Sequence, residues 1–273
     1  MKNLIDQYLQ SLAINEPQIS LEWLQSLLAA HLARYPFSST NVILKHDLSL
    51  EPEALLKRLI VQRRGGYCFE HNKVLFLVLK QLGFDVRPLI GRVMLNGNPD
   101  NGRSHRLTLL TLRDKQYLID VGFGIMNPRQ IISLDTNLPQ PDVRYQYSVE
   151  SDNRGGMLVM ATNSDEVVTL YRFDFAEYLE SDCTISHFYS HQAPEAVFVN
   201  HLVVSRILDS RRYLIRNLTY FEYDDKTGQE RAVDISDATM LYQLLTTQFN
   251  LQLTEQDAAT LYSHQRVKIR QQQ

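Results

Sequence analysis

Apolar residues recur every three or four positions through the first eighty residues, and every second position after that. Leu4, Ile5, Leu9 and Leu12 share a helical face, and Pro17 closes that segment. Ser20 can cap a second helix bearing Leu21, Leu24, Leu27, Leu28 and Leu32, which Pro36 ends. Ser49 to Pro52 marks a third helix start, with Leu55, Leu56, Leu59 and Ile60 on one side. The spacing predicts a fourth helix from Cys68 to Leu82. Its buried stripe is Leu75, Val78, Leu79 and Leu82, and Gly83 forms its left-handed end.

The alternating pattern predicts strands at Val86–Leu95, His105–Leu112 and Gln116–Val121, the last two joined by the polar tip Arg113-Asp114-Lys115. Further strands are predicted at Arg144–Glu150, Met157–Met160, Val167–Phe173, Val203–Leu208, Tyr213–Tyr223 and Gln229–Asp234. Ser236 can cap a helix containing Leu241, Leu244 and Leu245, and Thr254 a short one to Tyr262. Helices, then strands, then helices define an α+β protein with an antiparallel barrel or curled sheet after a helical bundle. Soft boundaries fall near Gly83 and around residues 181–195.

Composition narrows the class. The 273 residues carry 28 basic and 31 acidic side chains, a formal net charge of −3, so nothing electrostatic points to nucleic acid or an anionic membrane as partner. Hydrophobic residues at 44% and charged residues at 22% match an ordinary folded protein. The opening MKNLIDQYLQ lacks the apolar stretch of a secretory leader. Apolar runs such as Val74–Leu79 fall far short of the roughly 20 residues that span a bilayer. Two cysteines, Cys68 and Cys183, are too few for a disulfide framework or a cysteine zinc site. A soluble, cytoplasmic protein is expected.

Glycine is scarce and clustered: eight of the eleven lie between Gly65 and Gly124. At the centre is Arg63-Arg64-Gly65-Gly66-Tyr67-Cys68-Phe69-Glu70-His71-Asn72. The glycine pair breaks the preceding helix and leaves Cys68 in the first turn of the next. There the free N–H groups and the helix dipole favour a thiolate, and the same amides can stabilise an oxyanion. The plainer alternative is a cysteine buried as a small hydrophobe, the commoner fate of a free thiol.

A thiolate nucleophile needs a base for its proton and a group that orients the base. His105 and Asp120 are the candidates. Asp120 lies inside the apolar segment Tyr117–Gly124, where an unpaired carboxylate is costly. Each also has an ordinary reading, His105 as a strand-start histidine and Asp120 as a surface-facing strand residue or turn cap. A hairpin turning on Asp114-Lys115 sets Arg113 opposite Gln116 and His105 opposite Gly124. Asp120 is then four residues off, roughly 13 Å at strand rise, beyond hydrogen-bond reach. Pairing requires His105 to leave the ladder or the register to differ.

The segments Arg64 to Asn72, Ser104-His105 and Asp120-Val121-Gly122-Phe123-Gly124, in series, resemble the motifs of the arylamine N-acetyltransferases. Pro36-Phe37, Gly91-Arg92-Val93 and the chain length add to the resemblance, which thins beyond residue 140. It implies a cysteine-protease-like core in three parts. A helical bundle over 1–83 carries the nucleophile, an antiparallel β-barrel over 84–190 carries the histidine and aspartate, and an α/β lid spans 191–273. The implied triad is Cys68, His105 and Asp120, an arrangement shared with papain-like hydrolases and transglutaminases. The implied reaction is ping-pong. Cys68 takes acetyl from acetyl-CoA and passes it to the nitrogen of an arylamine or arylhydrazine, or to the oxygen of an N-hydroxyarylamine. The Phe69 amide would be the oxyanion donor. Phe123 and Ser104 would meet the substrate. Gly124, with Gly122, would let the backbone approach coenzyme A. No metal is implied, and the partners are an aromatic amine and coenzyme A. Oligomeric state is left open.

Two departures stand out. Pro36-Phe37-Ser38-Ser39 stands where the family usually has Pro-Phe-Glu-Asn, so Arg64, read as structural, needs another carboxylate. After Gly124 the chain reads Ile125-Met126-Asn127-Pro128, without the usual second glycine and Pro-Leu pair. The alternatives are a same-fold amide synthase carrying a larger acyl chain, a Cys-His-Asp thiol hydrolase, and a binding protein in which Cys68 only packs. His187 and His191, with His201 nearby, read as surface or lid histidines, since Thr184–Gln192 is not clearly helical and no HExxH pattern is present. Arg211, Arg212 and Arg216 read as a solvated hairpin-tip cluster. Glu70 and His71 should turn away from the nucleophile, and Cys183 reads as a buried or lid cysteine.

Overall fold

The computed structural model describes residues 1–164 and 166–272, the side chain of Gln272 excepted. Helix α1 (Lys2–Leu12) leads into α2 (Leu21–Arg34), where the Ser20 hydroxyl accepts from the Trp23 amide at 3.2 Å, as the sequence predicts. Strand β1 (Phe37–Ser38) and helices α3 (Thr40–Ile43) and α4 (Pro52–Leu56) follow, and α4 runs on as a wider helical turn over Lys57–Val61. Then comes α5 (Cys68–Gln81), in which every residue from Cys68 to Phe76 is buried. A helix covered all round sits in the middle of a fold. The other bundle helices and one face of the strands pack on it.

Two antiparallel sheets follow. The first contains β2 (Asp85–Val93), β3 (Arg103–Leu112), β4 (Lys115–Ile119), β5 (Ile132–Ser133), β6 (Gln140–Pro141), β7 (Gln146–Ser151), β8 (Met157–Thr162) and β9 (Val167–Phe173). Their order is β5-β4-β3-β2-β9-β8-β7-β6. The sheet curls until its two edges meet at one side chain. The Gln140 carboxamide accepts from the Ser133 amide at 2.8 Å and donates to the Ser133 carbonyl at 2.9 Å. Near-closure of this kind covers edge groups that would otherwise template pairing with another chain. Leu89, Leu107, Leu109, Leu118, Val149 and Val159 fill the interior.

After α6 (Glu180–Gln192) and α7 (Val197–Asn200), the second sheet is built from β10 (Val203–Ile207), β11 (Arg211–Arg216), β12 (Thr219–Asp224) and β13 (Glu230–Asp234). β1 joins its edge through Phe37 opposite Ser205, so the bundle and the C-terminal half share one sheet. Helices α8 (Ala238–Thr247) and α9 (Glu255–Gln272) cover it. The expected α+β class holds, and several local expectations need correction. Thr184–Gln192 is helical, because Cys183, His187 and Ser190 present one buried face. Residues 213–223 form two strands that turn at Asn217, whose φ of +57° is one asparagine tolerates. Asp237, not Ser236, caps α8 by accepting from the Met240 amide; a carboxylate is the stronger acceptor at a positive helix end. α9 extends past Tyr262 to Gln272.

Two ion pairs fix the turn before α5. Arg64 meets Asp257 of α9 at 3.1 Å, and so finds the carboxylate that Ser38-Ser39 does not supply. Glu70 turns away from the sulfur. Its Oε2 accepts from the Tyr67 amide at 3.1 Å, and its Oε1 accepts from Arg58 Nε at 3.1 Å and Nη2 at 2.9 Å. Burial raises the Glu70 carboxyl above its ordinary range, and Arg58 pulls the other way. A buried pair broken on one side leaves an uncompensated charge at a cost of about 3–5 kcal/mol. Glu70→Ala should therefore lower the unfolding free energy by about that much in urea denaturation, and Glu70→Gln by less. A loss under about 1 kcal/mol for the alanine variant would show that Arg58 finds other partners.

Candidate active site

Cys68 opens α5, and its Sγ donates to the Ser104 carbonyl at 3.5 Å. His105 follows on β3, and its Nε2 donates to Asp120 Oδ2 at 2.6 Å. Cys68 lies close enough to the same imidazole to favour its cation. With Nε2 given to Asp120, Nδ1 is the nitrogen left for the thiol. All three residues are buried, at 3%, 2% and 4% exposure.

The ladder distance expected from sequence was too long because the hairpin turns one residue earlier. Arg113 and Asp114 hold φ of +52° and +62°, and Leu112 pairs with Lys115. That is the two-residue turn matched to strand twist. The register runs Thr108 to Ile119, and continuing it sets Asp120 opposite Leu107, two residues from His105 instead of four. Diagonal neighbours at about 7–8 Å lie within reach of longer side chains. His105 stays on the ladder, opposite Gly91.

Asp120 is held from two further sides. Its Oδ1 accepts from Asn72 Nδ2 at 2.9 Å and from the Gly122 amide at 2.8 Å. Asn72, one helical turn beyond Cys68, also accepts from the Val121 amide at 3.0 Å and donates to the Arg106 carbonyl. Asn72 closes the Arg64–Asn72 motif, and no role for it is evident from the residues alone. Its presence there, one turn from the cysteine, was the available signal. Gly122 packs against this cluster. A Cβ on it would lie 2.7 Å from Cys68 Cα and 2.9 Å from Asn72 Nδ2. Close approach to α5 at Cys68 and Asn72 demands that glycine. Gly124 is glycine for its φ of +83°; a Cβ there would make only ordinary contacts with Ser205 and Phe37.

Burial is the largest single influence on His105 and disfavours its cation. The Asp120 carboxylate, its hydrogen bond and Cys68 outweigh that and raise the imidazole to about 10. The Phe123 ring meets the imidazole edge-on at 5.0 Å, and Tyr171 lies 4.9 Å from it and 5.1 Å from Phe123. Tyr171, outside the recognisable motifs, was not anticipated. Ser104 meets the sulfur through its carbonyl rather than its hydroxyl. The Phe69 amide lies in the first turn of α5, where N–H groups have no intrahelical acceptor, while its ring packs on Tyr67 and His187.

Two residues set aside on sequence are structural here. His187 is buried beneath the turn that leads into α5. Burial lowers it to about 3, so it is neutral. Its Nε2 donates to the Leu48 carbonyl at 2.8 Å and its Nδ1 accepts from the Tyr67 hydroxyl at 2.6 Å. Arg212 is buried rather than solvated, at 1% exposure, because Asp142 beyond β6 and Asp225 beyond β12 face it from the first and second sheets. Among the described residues no group of three or more His, Cys, Asp or Glu side chains is placed to hold a metal ion, and no helix is long and apolar enough to cross a membrane.

The fold sets a cysteine at a helix start beside a buried histidine–aspartate pair, between a helical bundle and a nearly closed antiparallel barrel. A family model described as N-acetyltransferase matches residues 20–258. The chain is 32% identical over 235 residues to the "Arylamine N-acetyltransferase / N-hydroxyarylamine O-acetyltransferase" of Salmonella typhimurium, covering 85% of this chain and 83% of that one. It superposes on the solved arylamine N-acetyltransferase of Salmonella typhimurium with a TM-score of 0.90 at 29% identity, covering 96% of this chain and 99% of that one. For the Mycobacterium marinum arylamine N-acetyltransferase in complex with CoA the TM-score is 0.89 at 26% identity, over 95% and 98%. The chain belongs to the arylamine N-acetyltransferase family.

The raised His105 has a signed consequence. Its folded value of about 10 exceeds the ordinary 6.5, so its contribution to stability is complete below about pH 6.5 and is lost as pH rises towards 10. The unfolding free energy of the wild type should fall as pH rises across that window, and His105→Gln should flatten the slope. An unchanged slope in the variant would rule out a protonated His105. Cys183 should stay unalkylated by iodoacetamide until the fold opens, since it is fully buried and burial pushes its thiol to about 11, while Cys68 reacts in the native protein. Equal native rates would contradict this.

Proposed function

We propose that the protein carries acetyl groups from acetyl-CoA through a thioester on Cys68 to the nitrogen of aromatic amines or arylhydrazines, and to the oxygen of N-hydroxyarylamines. The single observation that carries the reading is the buried His105–Asp120 pair beside Cys68, whose imidazole is raised to about 10 and so favours the cation at neutral pH. Family membership supports the acetyl donor and the aromatic acceptor. The name of the Salmonella relative supports the O-acetyl reaction, and the CoA complex of the mycobacterial neighbour supports the donor.

The proton balance is as follows. His105 holds the proton that Cys68 gives up, and the sulfur attacks the acetyl carbonyl. The oxyanion meets the Phe69 amide at the start of α5. The carbon–sulfur bond to coenzyme A breaks and the coenzyme leaves with the proton from His105. An amine then attacks the acetyl-cysteine, His105 takes a proton from its nitrogen, and the thiolate is released. Asp120 keeps Nε2 protonated through both halves, so Nδ1 is the atom that exchanges the proton. The Phe123 and Tyr171 rings shield the imidazole from water, which favours amine over hydrolysis. The free first-turn amide of α5 beside the sulfur fits a thioester donor.

Intact mass after mixing with acetyl-CoA should rise by one acetyl group, and Cys68→Ser should show no rise. An aromatic amine should accelerate loss of the adduct. Absence of an adduct on the wild type would sink this reading. An adduct that only water removes would favour the thiol hydrolase, and one formed only from longer acyl donors without coenzyme A would favour the amide synthase.

A further inference from the structure

The turn after the site is held by a buried charge cluster that the chemistry above leaves unused. The segment Gly124–Met126 makes a single tight helical turn, and side chains from two other parts of the fold accept the task of satisfying its carbonyls. Arg212 Nη1, from β11, donates to the Ile125 carbonyl at 2.8 Å and the Asn127 carbonyl at 3.0 Å. The Tyr147 hydroxyl, from β7, donates to the Met126 carbonyl at 3.1 Å. Arg212 is itself held by Asp225 at 2.8 Å and Asp142 at 3.4 Å, with the Tyr145 ring stacked over its guanidinium. Arg129 reaches the other way. Its backbone amide and Nε bond Asp142 at 3.0 and 3.1 Å, and its Nη1 donates to the carbonyls of Leu208 and Asp209 in the β10–β11 turn. Each arginine thus grips the backbone that leads to the other, and Asp142 is shared.

This clasp connects to the site through Asn127, which is fully buried. Its Oδ1 accepts from the Phe123 amide at 2.7 Å, and its Nδ2 donates to the Asp120 carbonyl at 2.7 Å. Phe123 presents its ring to the imidazole from this turn. Cys68 and the Phe69 amide belong to α5 and do not depend on it. The Asp120 carboxylate keeps its own donors from Asn72, Gly122 and His105.

We infer that Arg212, with Asp142 and Asp225, is a positioning residue for the aromatic acceptor: it fixes the Gly124–Asn127 turn and thereby the Phe123 wall against which the amine lies. The inference rests on the acetyl-cysteine reading above. Acylation of Cys68 depends on α5, whereas selection among amines depends on the clasp.

The test separates the two half-reactions. Arg212→Lys keeps a cation for Asp225 but cannot span two carbonyls. In the full-length variant, formation of the acetyl adduct from acetyl-CoA should change less than about threefold. The kcat/KM for an aromatic amine should fall at least tenfold, carried mainly by the amine KM, and the preference between a one-ring and a two-ring amine should shift at least threefold. Tyr147→Phe, which removes only the Met126 contact, should shift the same preference in the same direction by less. It serves as the deciding variant if the lysine protein does not fold. An unchanged amine preference would overturn the proposal and leave Arg212 a brace of the fold. Equal losses in both half-reactions would overturn it too. A wild type that forms no adduct would instead refute the underlying acetyl-transfer reading.

Discussion

The Asp120 carboxylate is the junction on which the molecule depends. It is buried, and an ionised carboxylate removed from water costs several kcal/mol even after relaxation. Three donors from separate parts of the chain offset this: His105 from β3, Asn72 from α5 and the amide of Gly122 from the loop beyond β4. Hydrogen bonds to charged groups contribute about 1.5–3 kcal/mol each, so the three donors together are comparable to the cost. The bundle, the barrel and the loop must therefore all be in place before the carboxylate is tolerable. The same condition puts the imidazole beside the sulfur. Folding and alignment of the site are one requirement.

The side of α5 away from the sulfur follows the same logic with different groups. Glu70 and Arg58 neutralise each other beneath the helix start, and neutral His187 receives the Tyr67 hydroxyl. Further along, Glu180 of α6 binds both Arg106, the neighbour of His105, and Lys73, the neighbour of Asn72. Arg106 and Lys73, each next to a site residue, are thus tied to one countercharge.

Local features of this arrangement were legible in the sequence. The Gly65-Gly66 break, the helix beginning at Cys68 and the alternation that placed His105 and Asp120 in neighbouring strands all follow from residues close in the chain. The pairing of His105 with Asp120 was not legible, because it turns on whether the hairpin bends at Arg113-Asp114 or Asp114-Lys115. Neither pair contains the glycine that marks such turns, and one residue of difference moves Asp120 by two positions along the strand. Arg212 was misread for a related reason. Its neighbours Arg211 and Arg216 are exposed, and nothing near it in sequence is acidic and buried. Asp142 is 70 residues away and Asp225 is 13. Burial of a charge depends on the partner's place in space, which a charge count along the chain does not contain. His187 was underestimated because the short apolar record of α6 hides a buried face made of Cys183, His187 and Ser190.

The division between legible and illegible parts has a physical basis in what each half-reaction asks of the fold. A thiolate and an oxyanion need a helix start and its amides, which one short segment can supply. Recognition of an aromatic acceptor needs a wall whose position is fixed against a ring some distance along the chain. That position is set where loop 124–127 meets β11 and β7, through carbonyls that any residue type offers. Arg212 and Tyr147 anchor the backbone of the turn at Ile125, Met126 and Asn127 through carbonyls, independently of the side chains at Ile125 and Met126. Backbone anchoring from distant donors leaves little signature in the anchored segment. It places the constraint on the donors instead, in the C-terminal half where the motif resemblance is thinnest.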